Sequence, residues 1–317
     1  MTIKQLFIID PFEKLCIKND TSILLMNEVL RKNQQVYSCT EYDISIINNK
    51  KIALCHKHEK EINEDILNEK LVLNKYDLEE FDFIHIRKDP PFDESYITLV
   101  LMLCNMNHPT VVNNPESILK FNEKLFILMF PEFITDTLVS SSLKEIEEFV
   151  RKVGTAVLKP LFKCSGQGIE LLKNDDISKQ IILSTTNNQK NKVMVQRFLP
   201  QVKFGETRVF MFEDIPIAVM KKVPKKDSFK ANFAFGVQGE KYELNDKDKF
   251  LCKQIGTFCK KHGILLSALD IIDSHISEIN ITSPGLLVES NKINNQRYEQ
   301  KIIKLLIESR EKYYKRI

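Results

Sequence analysis

The chain has 317 residues, 43% hydrophobic and 28% charged, an ordinary globular balance with room for one large or two to three smaller domains. Its 46 basic residues nearly cancel its 43 acidic ones, so a net charge of +3 gives no general attraction to nucleic acid or membrane. No stretch approaches the roughly twenty apolar residues of a membrane span, and the apolar run Leu6–Ile9 stops at Asp10, too short for a secretory signal. Seven scattered cysteines without a CxxC pair suit reduced thiols in a cytoplasm.

In chain order, Gln5–Asp10 reads as a buried strand, and Asp20 as the N-cap of a helix carrying Ile23, Leu24, Met26 and Leu30. A second strand covers Gln35–Thr40, and a hairpin over 42–58 turns at Asn48-Asn49-Lys50. The Cys55-His56-Lys57-His58 cluster reads as a polar loop, because no second ligand pair has zinc spacing. Residues 59–74 are charged and give no firm element. The apolar strand Phe81–Ile86 runs into Arg87-Lys88-Asp89-Pro90-Pro91-Phe92-Asp93, where the two prolines remove donors and hold the loop extended. Such a loop either aims Arg87 and Lys88 at an anion or is a stiff surface loop with solvated charges. A helix to about Asn105 and a strand Thr110–Val112 follow. This alternation predicts a doubly wound, mostly parallel sheet, whose ligands gather at strand carboxyl ends.

Pro115 opens a helix expected to run to Pro131 with Asn122-Glu123-Lys124 in its middle. A strand Phe133–Leu138, a helix Ser142–Val153 stopped by Gly154, and a strand Ala156–Leu161 carrying Lys159 come next. The loop Lys163–Gly168 precedes a strand Ile169–Leu172. Gly166 and Gly168 allow backbone amides to approach a phosphate, though the loop lacks the GK[ST] ending and the helix of a Walker motif, and a plain hairpin turn fits as well. Ser184–Asn191 is a polar loop, and Val193–Leu199 a strand containing Gln196. Glu206–Phe212 and Ile215–Val223 pair around Glu213-Asp214, with Arg208 on the first strand and Lys222 near the end of the second. Residues 225–239 have no clear period and read as a mobile lid. A helix Asn245–His262, closed by Gly263, puts Cys252 and Cys259 on one buried face, and a final helix covers about Gln296–Tyr314.

The most informative stretch is Ser267–Pro284, two strands around the tight turn Asp273-Ser274-His275. A hairpin centred on Ser274 sets Asp270 opposite Glu278, and strand alternation puts Glu278 and Asn280 on one face. Three oxygen-bearing side chains then converge, as a hard divalent cation requires when phosphates and water complete its shell. Facing carboxylates also destabilise a hairpin unless something offsets them. A polar strand face in water is the other reading.

Taken together, these segments resemble the prokaryotic-type glutathione synthetases, which are ATP-grasp carboxylate–amine ligases, over residues 5–285. The resemblance rests on IRKDPPFD at Ile86–Asp93, VNNPESILKFNEKLF at Val112–Phe126, VLKPL at Val157–Leu161, VQRFLP at Val195–Pro200, GETRVF at Gly205–Phe210 and ALDIID…EINITSP at Ala268–Pro284. It implies an α/β (α+β) chain: a Rossmann-like pre-ATP-grasp domain over 1–119, then an ATP-grasp fold of two α+β subdomains over 120–200 and 201–317. ATP would lie between two antiparallel sheets. Lys124 and Lys159 match the nucleotide-phosphate lysines, Ser165, Gly166 and Gly168 the phosphate loop, and Gln196, Arg197, Phe198 and Leu199 the adenine segment. Asp270, Glu278 and Asn280 match the ligands of magnesium or manganese. The implied reaction activates the cysteinyl carboxylate of gamma-glutamylcysteine as an acyl phosphate, which glycine's amine then displaces. Arg208 would balance the developing charge, with Lys222 beside it, and Arg87 and Ser283 would hold the dipeptide. The family is often homotetrameric, so a homo-oligomer is expected.

The departures from the pattern are specific. Phe162 and Lys163 stand where an Asp-Gly pair is common, and Lys222 stands where arginine is usual. Lys230-Ala231-Asn232 and Gly236-Val237-Gln238 replace a lid richer in arginine and glycine. Two alternatives therefore stand beside glutathione synthesis: an ATP-grasp ligase with another acceptor pair, and a non-catalytic nucleotide-binding descendant. An intact acidic trio opposes the second, because buried acids without an ion cost stability.

Overall fold

The computed structural model describes residues 2–314 apart from Asn107, Cys164, Ser165, Asp227, Ala234 and Phe235. The first sheet grows from β1 (Lys4–Ile9), whose Leu6, Phe7 and Ile8 are fully buried. It continues through α1 (Thr21–Arg31), β2 (Gln35–Cys39), β3 (Ile44–Ile47), β4 (Lys50–His58), β5 (Leu73–Asp77), β6 (Phe83–Arg87), α2 (Glu94–Leu103) and β7 (Thr110–Val112). Strand order is β3-β4-β2-β1-β6-β7, with β5 on β4. β2, β1, β6 and β7 run parallel, while β3, β4 and β5 add antiparallel strands. The local signals act as expected: Asp20 accepts from Ile23 N at 2.9 Å, and Asn48 and Asn49 take positive φ in the β3–β4 turn. The Cys55–His58 segment is strand, not a polar loop. Cys55 and His58 point inward, and His58 Nε2 lies 2.7 Å from Ser38 Oγ.

The second sheet follows α3 (Pro115–Lys120) and has the order β10-β9-β11-β8, antiparallel throughout: β8 (Thr137–Ser140), β9 (Thr155–Pro160), β10 (Glu170–Lys173) and β11 (Val193–Arg197). The helices α4 (Leu143–Val153) and α5 (Lys179–Thr185) belong to this part of the chain. Two expectations fail here. The helix from Pro115 stops at Lys120, because Asn122 Oδ1 accepts from Lys124 N and Leu125 N, each at 3.1 Å, and starts a separate 3₁₀ turn over Leu125–Met129. The strand expected at Phe133 begins only at Thr137, because Phe133 N bonds back to Phe130 O and 131–133 form a turn. The polar stretch 184–191 also begins inside α5.

The third sheet, order β14-β13-β12-β15-β16, contains β12 (Glu206–Phe212), β13 (Ile215–Val223), β14 (Gln238–Glu240), β15 (Leu266–Ile272) and β16 (His275–Asn280), again antiparallel. α6 (Asp246–Lys261) buries Cys252 and Cys259, and burial pushes both thiols up to about 12. α7 (Leu287–Asn294) has no counterpart in the sequence reading, and α8 (Tyr298–Tyr314) closes the chain. The third sheet is the hub. One apolar cluster joins Phe210, Phe212 and Leu266 to Phe7 and Phe83 of the first sheet and to Val29 of α1. Another joins Leu251, Leu269 and Ile279 to Phe121, Phe126 and Phe130.

Candidate active site

The site begins at the β15–β16 hairpin. Asp273 and Ser274 both take positive φ, 49° and 58°, the backbone of a two-residue turn matched to strand twist. Ser274 Oγ donates to Asp248 Oδ1 of α6 at 2.8 Å, which anchors the turn. Ile272 pairs with His275 and Ile271 with Ile276, so the turn is centred between Asp273 and Ser274, not on Ser274. Left regular, that centre would put Asp270 opposite Ser277. A bulge at Ser277 takes up one residue, and Asp270 pairs with Glu278. The expected facing pair is therefore present, but a different geometry produces it.

A cleft of about 540 Å³ opens between the second and third sheets, and Asp270, Glu278 and Asn280 all line it. The carboxylates already have cationic partners. Arg208, the register partner of Asp270 on β12, donates from Nε and Nη2 at 2.8 and 2.7 Å to its two oxygens. Lys222 Nζ on β13 bridges Asp270 Oδ1 at 3.0 Å and Glu206 Oε2 at 2.7 Å. Glu278 Oε1 pairs with Lys124 Nζ at 3.0 Å, and Lys124 also donates to Lys163 O at 2.6 Å. Burial alone would raise the Asp270 carboxyl, but Arg208 and Lys222 hold it below the ordinary range. Glu206 goes the other way: its burial outweighs Lys222 and raises it. Burial lowers Lys159, with Glu278 opposing.

Lys159, Gly166 and the segment 196–199 open on the same cleft. Lys159 Nζ donates to Gln196 Oε1 at 2.8 Å and to Ser277 Oγ at 3.1 Å, so the bulged residue is also the lysine's anchor. Gly166 lines the cleft with φ 74°. Gly168 has φ 68°, and a Cβ there would sit 3.0 Å from Pro160 Cγ. Ser165 lies outside the described residues. Gln196, Arg197, Phe198 and Leu199 line the cleft where the second sheet leads into the third. Arg197 Nε donates to Asp136 at 2.8 Å, and the Phe198 ring meets Phe229 edge-on at 6.1 Å. That contact brings part of 225–239 over the cleft, which Phe229, Lys230, Ala231 and Asn232 also line.

The Arg87 loop departs from both readings of it. Arg87 and Lys88 are neither solvated nor aimed into the cleft. Arg87 is 4% exposed, donates to Ser22 Oγ at 3.0 Å and Pro284 O at 3.1 Å, and stands behind the cleft wall; burial lowers it. Lys88 pairs with Glu41 at 3.1 Å. Ser283 does line the cleft, and its Oγ donates to Arg87 O at 3.3 Å. Three cleft carboxylates were given no role from sequence: Asp89, Glu123 and Glu206. Glu206 was findable, since it precedes Arg208 by two on one strand and shares its face. The helix expected through residue 123 hid Glu123.

The donor set suits a hard cation. Asn280 spends its amide nitrogen on Ala268 O at 3.1 Å and lies 3.5 Å from Asp270 Oδ2, which leaves its amide oxygen as a donor beside the two carboxylates. Among the described residues no three His, Cys, Asp or Glu side chains make a metal cluster. Two carboxylates and an amide are few ligands, a number that fits a cation shared with phosphates.

Two family models cover the chain, "Prokaryotic glutathione synthetase, N-terminal domain" over residues 3–118 and "Prokaryotic glutathione synthetase, ATP-grasp domain" over 123–295. The chain belongs to the prokaryotic glutathione synthetase family. It is thus an enzyme of the ATP-dependent carboxylate–amine ligase class. The glutathione synthetase of Coxiella burnetii is 33% identical over 291 residues, 90% of each chain. That of Buchnera aphidicola subsp. Schizaphis graminum is 32% identical over 292 residues, 91% of each. Among solved structures, the D-cycloserine synthetase DcsG superposes with a TM-score of 0.66 at 12% identity, covering 95% of this chain and 99% of its own, a likeness of fold alone. No helix among the described residues is long and apolar enough to cross a membrane.

Proposed function

We propose that the chain joins gamma-glutamylcysteine to glycine with ATP, giving glutathione, ADP and phosphate through an acyl phosphate. The observation that carries this reading is the convergence, on one cleft between two antiparallel sheets, of Lys124, Lys159, Arg208 and Lys222 with Asp270, Glu278 and Asn280. Lys124 and Lys159 would hold the nucleotide's phosphates, and Gln196–Leu199 its base. Asp270, Glu278 and Asn280 would hold magnesium or manganese, which supplies charge neutralisation for phosphoryl transfer when bound. Arg208 and Lys222 would face the charge that builds on the acyl group, first in the phosphate and then in the tetrahedral adduct. Ser283 would touch the dipeptide directly. Arg87 would act behind it by fixing Pro284 and the wall. Residues 225–239 would cover the acyl phosphate against water.

The six described cysteines are all free thiols, which supports a cytoplasmic setting, and the family resemblance supports a homo-oligomer. The deciding experiment is mass analysis of products after incubation with magnesium, ATP, gamma-glutamylcysteine and glycine. Glutathione formed in step with ADP is the expected result. ADP and phosphate without glutathione, together with a new product from another dipeptide or amine, would assign a different acceptor pair, the reading that Lys222 and the altered lid favour. The absence of nucleotide turnover with any pair would sink the ligase reading.

A further inference from the structure

Glu123 has no role in the proposed chemistry, yet its side chain at the cleft is heavily engaged. Its Oε1 accepts three hydrogen bonds: from Ile281 N at 2.8 Å, Thr282 N at 2.9 Å and Thr282 Oγ1 at 2.8 Å. Its main-chain carbonyl accepts from Ile279 N at 3.2 Å. One residue therefore grips the exit of β16 on both sides of Asn280. Its neighbours extend the grip. Asn122 Nδ2 donates to Leu161 O at 3.2 Å, just past the end of β9, and Lys124 reaches Glu278 and Lys163 O. Asn122-Glu123-Lys124 thus pins the second sheet to the strand that carries two of the three oxygen donors.

Such a residue carries a cost. Burial raises the Glu123 carboxyl, and the nearby Glu278 charge adds to that rise. A strand end needs no acid for this duty, since water or a neutral acceptor would satisfy the same amides in a surface loop. We propose that Glu123 is a positioning residue for the cation site: its side-chain oxygen fixes the backbone of Ile281–Thr282 directly after Asn280, and so the placement of Asn280 and, through the same strand, of Glu278. This rests on the reading of Asp270, Glu278 and Asn280 as cation ligands.

The test is calorimetric binding of Mn²⁺ to the full chain with ADP present, which needs no turnover, alongside kcat and the Mg²⁺ concentration at half-maximal rate. Glu123→Gln keeps an oxygen acceptor in place and removes the charge. Glu123→Asp keeps the charge and withdraws the oxygen by one methylene. Glu123→Ala removes both. If position matters, Gln stays within about threefold of the parent, while Asp and Ala lose about ten- to a hundredfold in Mn²⁺ affinity, the usual cost of losing a group that orients a metal ligand. If Ala does not fold, the contrast between Gln and Asp carries the test. Gln as weak as Asp, or Asp as tight as the parent, overturns the proposal. Parent protein that binds ADP but no Mn²⁺ instead removes the cation site itself, and the proposal with it.

Discussion

Lys222 sits 4% exposed between two acids, with Glu206 at 2.7 Å and Asp270 at 3.0 Å. Removing one member of a buried ion pair leaves an unbalanced charge and costs about 3–5 kcal/mol. Lys222→Met should therefore lower the urea midpoint clearly, and a variant within 0.5 kcal/mol of the parent (about the error expected of a surface change) would show the network to be dispensable. Glu278→Gln is a milder change to the fold, because that side chain is a quarter exposed. It should abolish turnover while the melting temperature moves only about 3 °C or less. Near-normal product formation by that variant would remove the cation assignment. Away from the cleft, burial drives His85 to about 3, against about 6.5 when unfolded. Its folded pKa is depressed, so its contribution is full above pH 6.5 and is lost as pH falls toward 3, with a slope of up to about 1.4 kcal/mol per pH unit. His85→Gln should lose less stability than the parent between pH 7 and pH 4.5 in paired denaturant titrations, and an equal loss would rule out His85 as a cause. Residue types were the most legible part of the chain. The acidic hairpin and the buried cysteines announce themselves by chemistry, and the family motifs point to Lys124 and Lys159, which both line the cleft. Arg87 and Lys88 did not, because sequence shows a charge but not the partner that consumes it.

Local punctuation explains which elements could be read. Helix α4 is bounded by Ser142, whose Oγ accepts from Glu145 N at 3.3 Å, and by Gly154 at φ 84°. A Cβ on Gly154 would meet nothing within 4 Å, so the cost of Gly154→Ala is conformational alone, about 1 kcal/mol. A denaturant series that finds no loss would mean the helix end adjusts freely. The elements that misled have a common cause. Asn122 interrupts an apolar helical pattern with two side-chain hydrogen bonds, and a pattern of hydrophobic spacing carries no record of them. The bulge at Ser277 is equally silent, since any residue can occupy it. α7 is preceded by Leu286 at φ 73°, an N-cap without a side-chain acceptor, so no capping signal marked it.

Across the whole molecule, the three sheets are joined by polar clips as well as apolar clusters. Asn113, 2% exposed, donates to Leu266 O and Ile281 O and accepts from Leu266 N at 2.8 Å, tying the end of the first sheet to the third. Asn113→Ala strands three buried backbone groups and should cost about 2–4 kcal/mol. An unaltered unfolding midpoint would mean that the sheets do not depend on this clip. The layered alternation of strands and helices was visible in sequence, whereas long-range clips such as this one join residues 153 and 168 apart and leave no local trace. One consequence of the ion pairs in the cleft concerns the order of loading. On the proposed roles, a lone divalent ion meets acids whose lone pairs Lys124, Arg208 and Lys222 already occupy. A lone polyphosphate meets the same cations screened by those acids. Arriving as a complex, the two guests swap counter-ions with the protein in a single four-cornered exchange, and the pocket's total charge hardly changes. Such a pocket fills cooperatively, so Mn²⁺ should bind weakly without ADP and far more tightly with it.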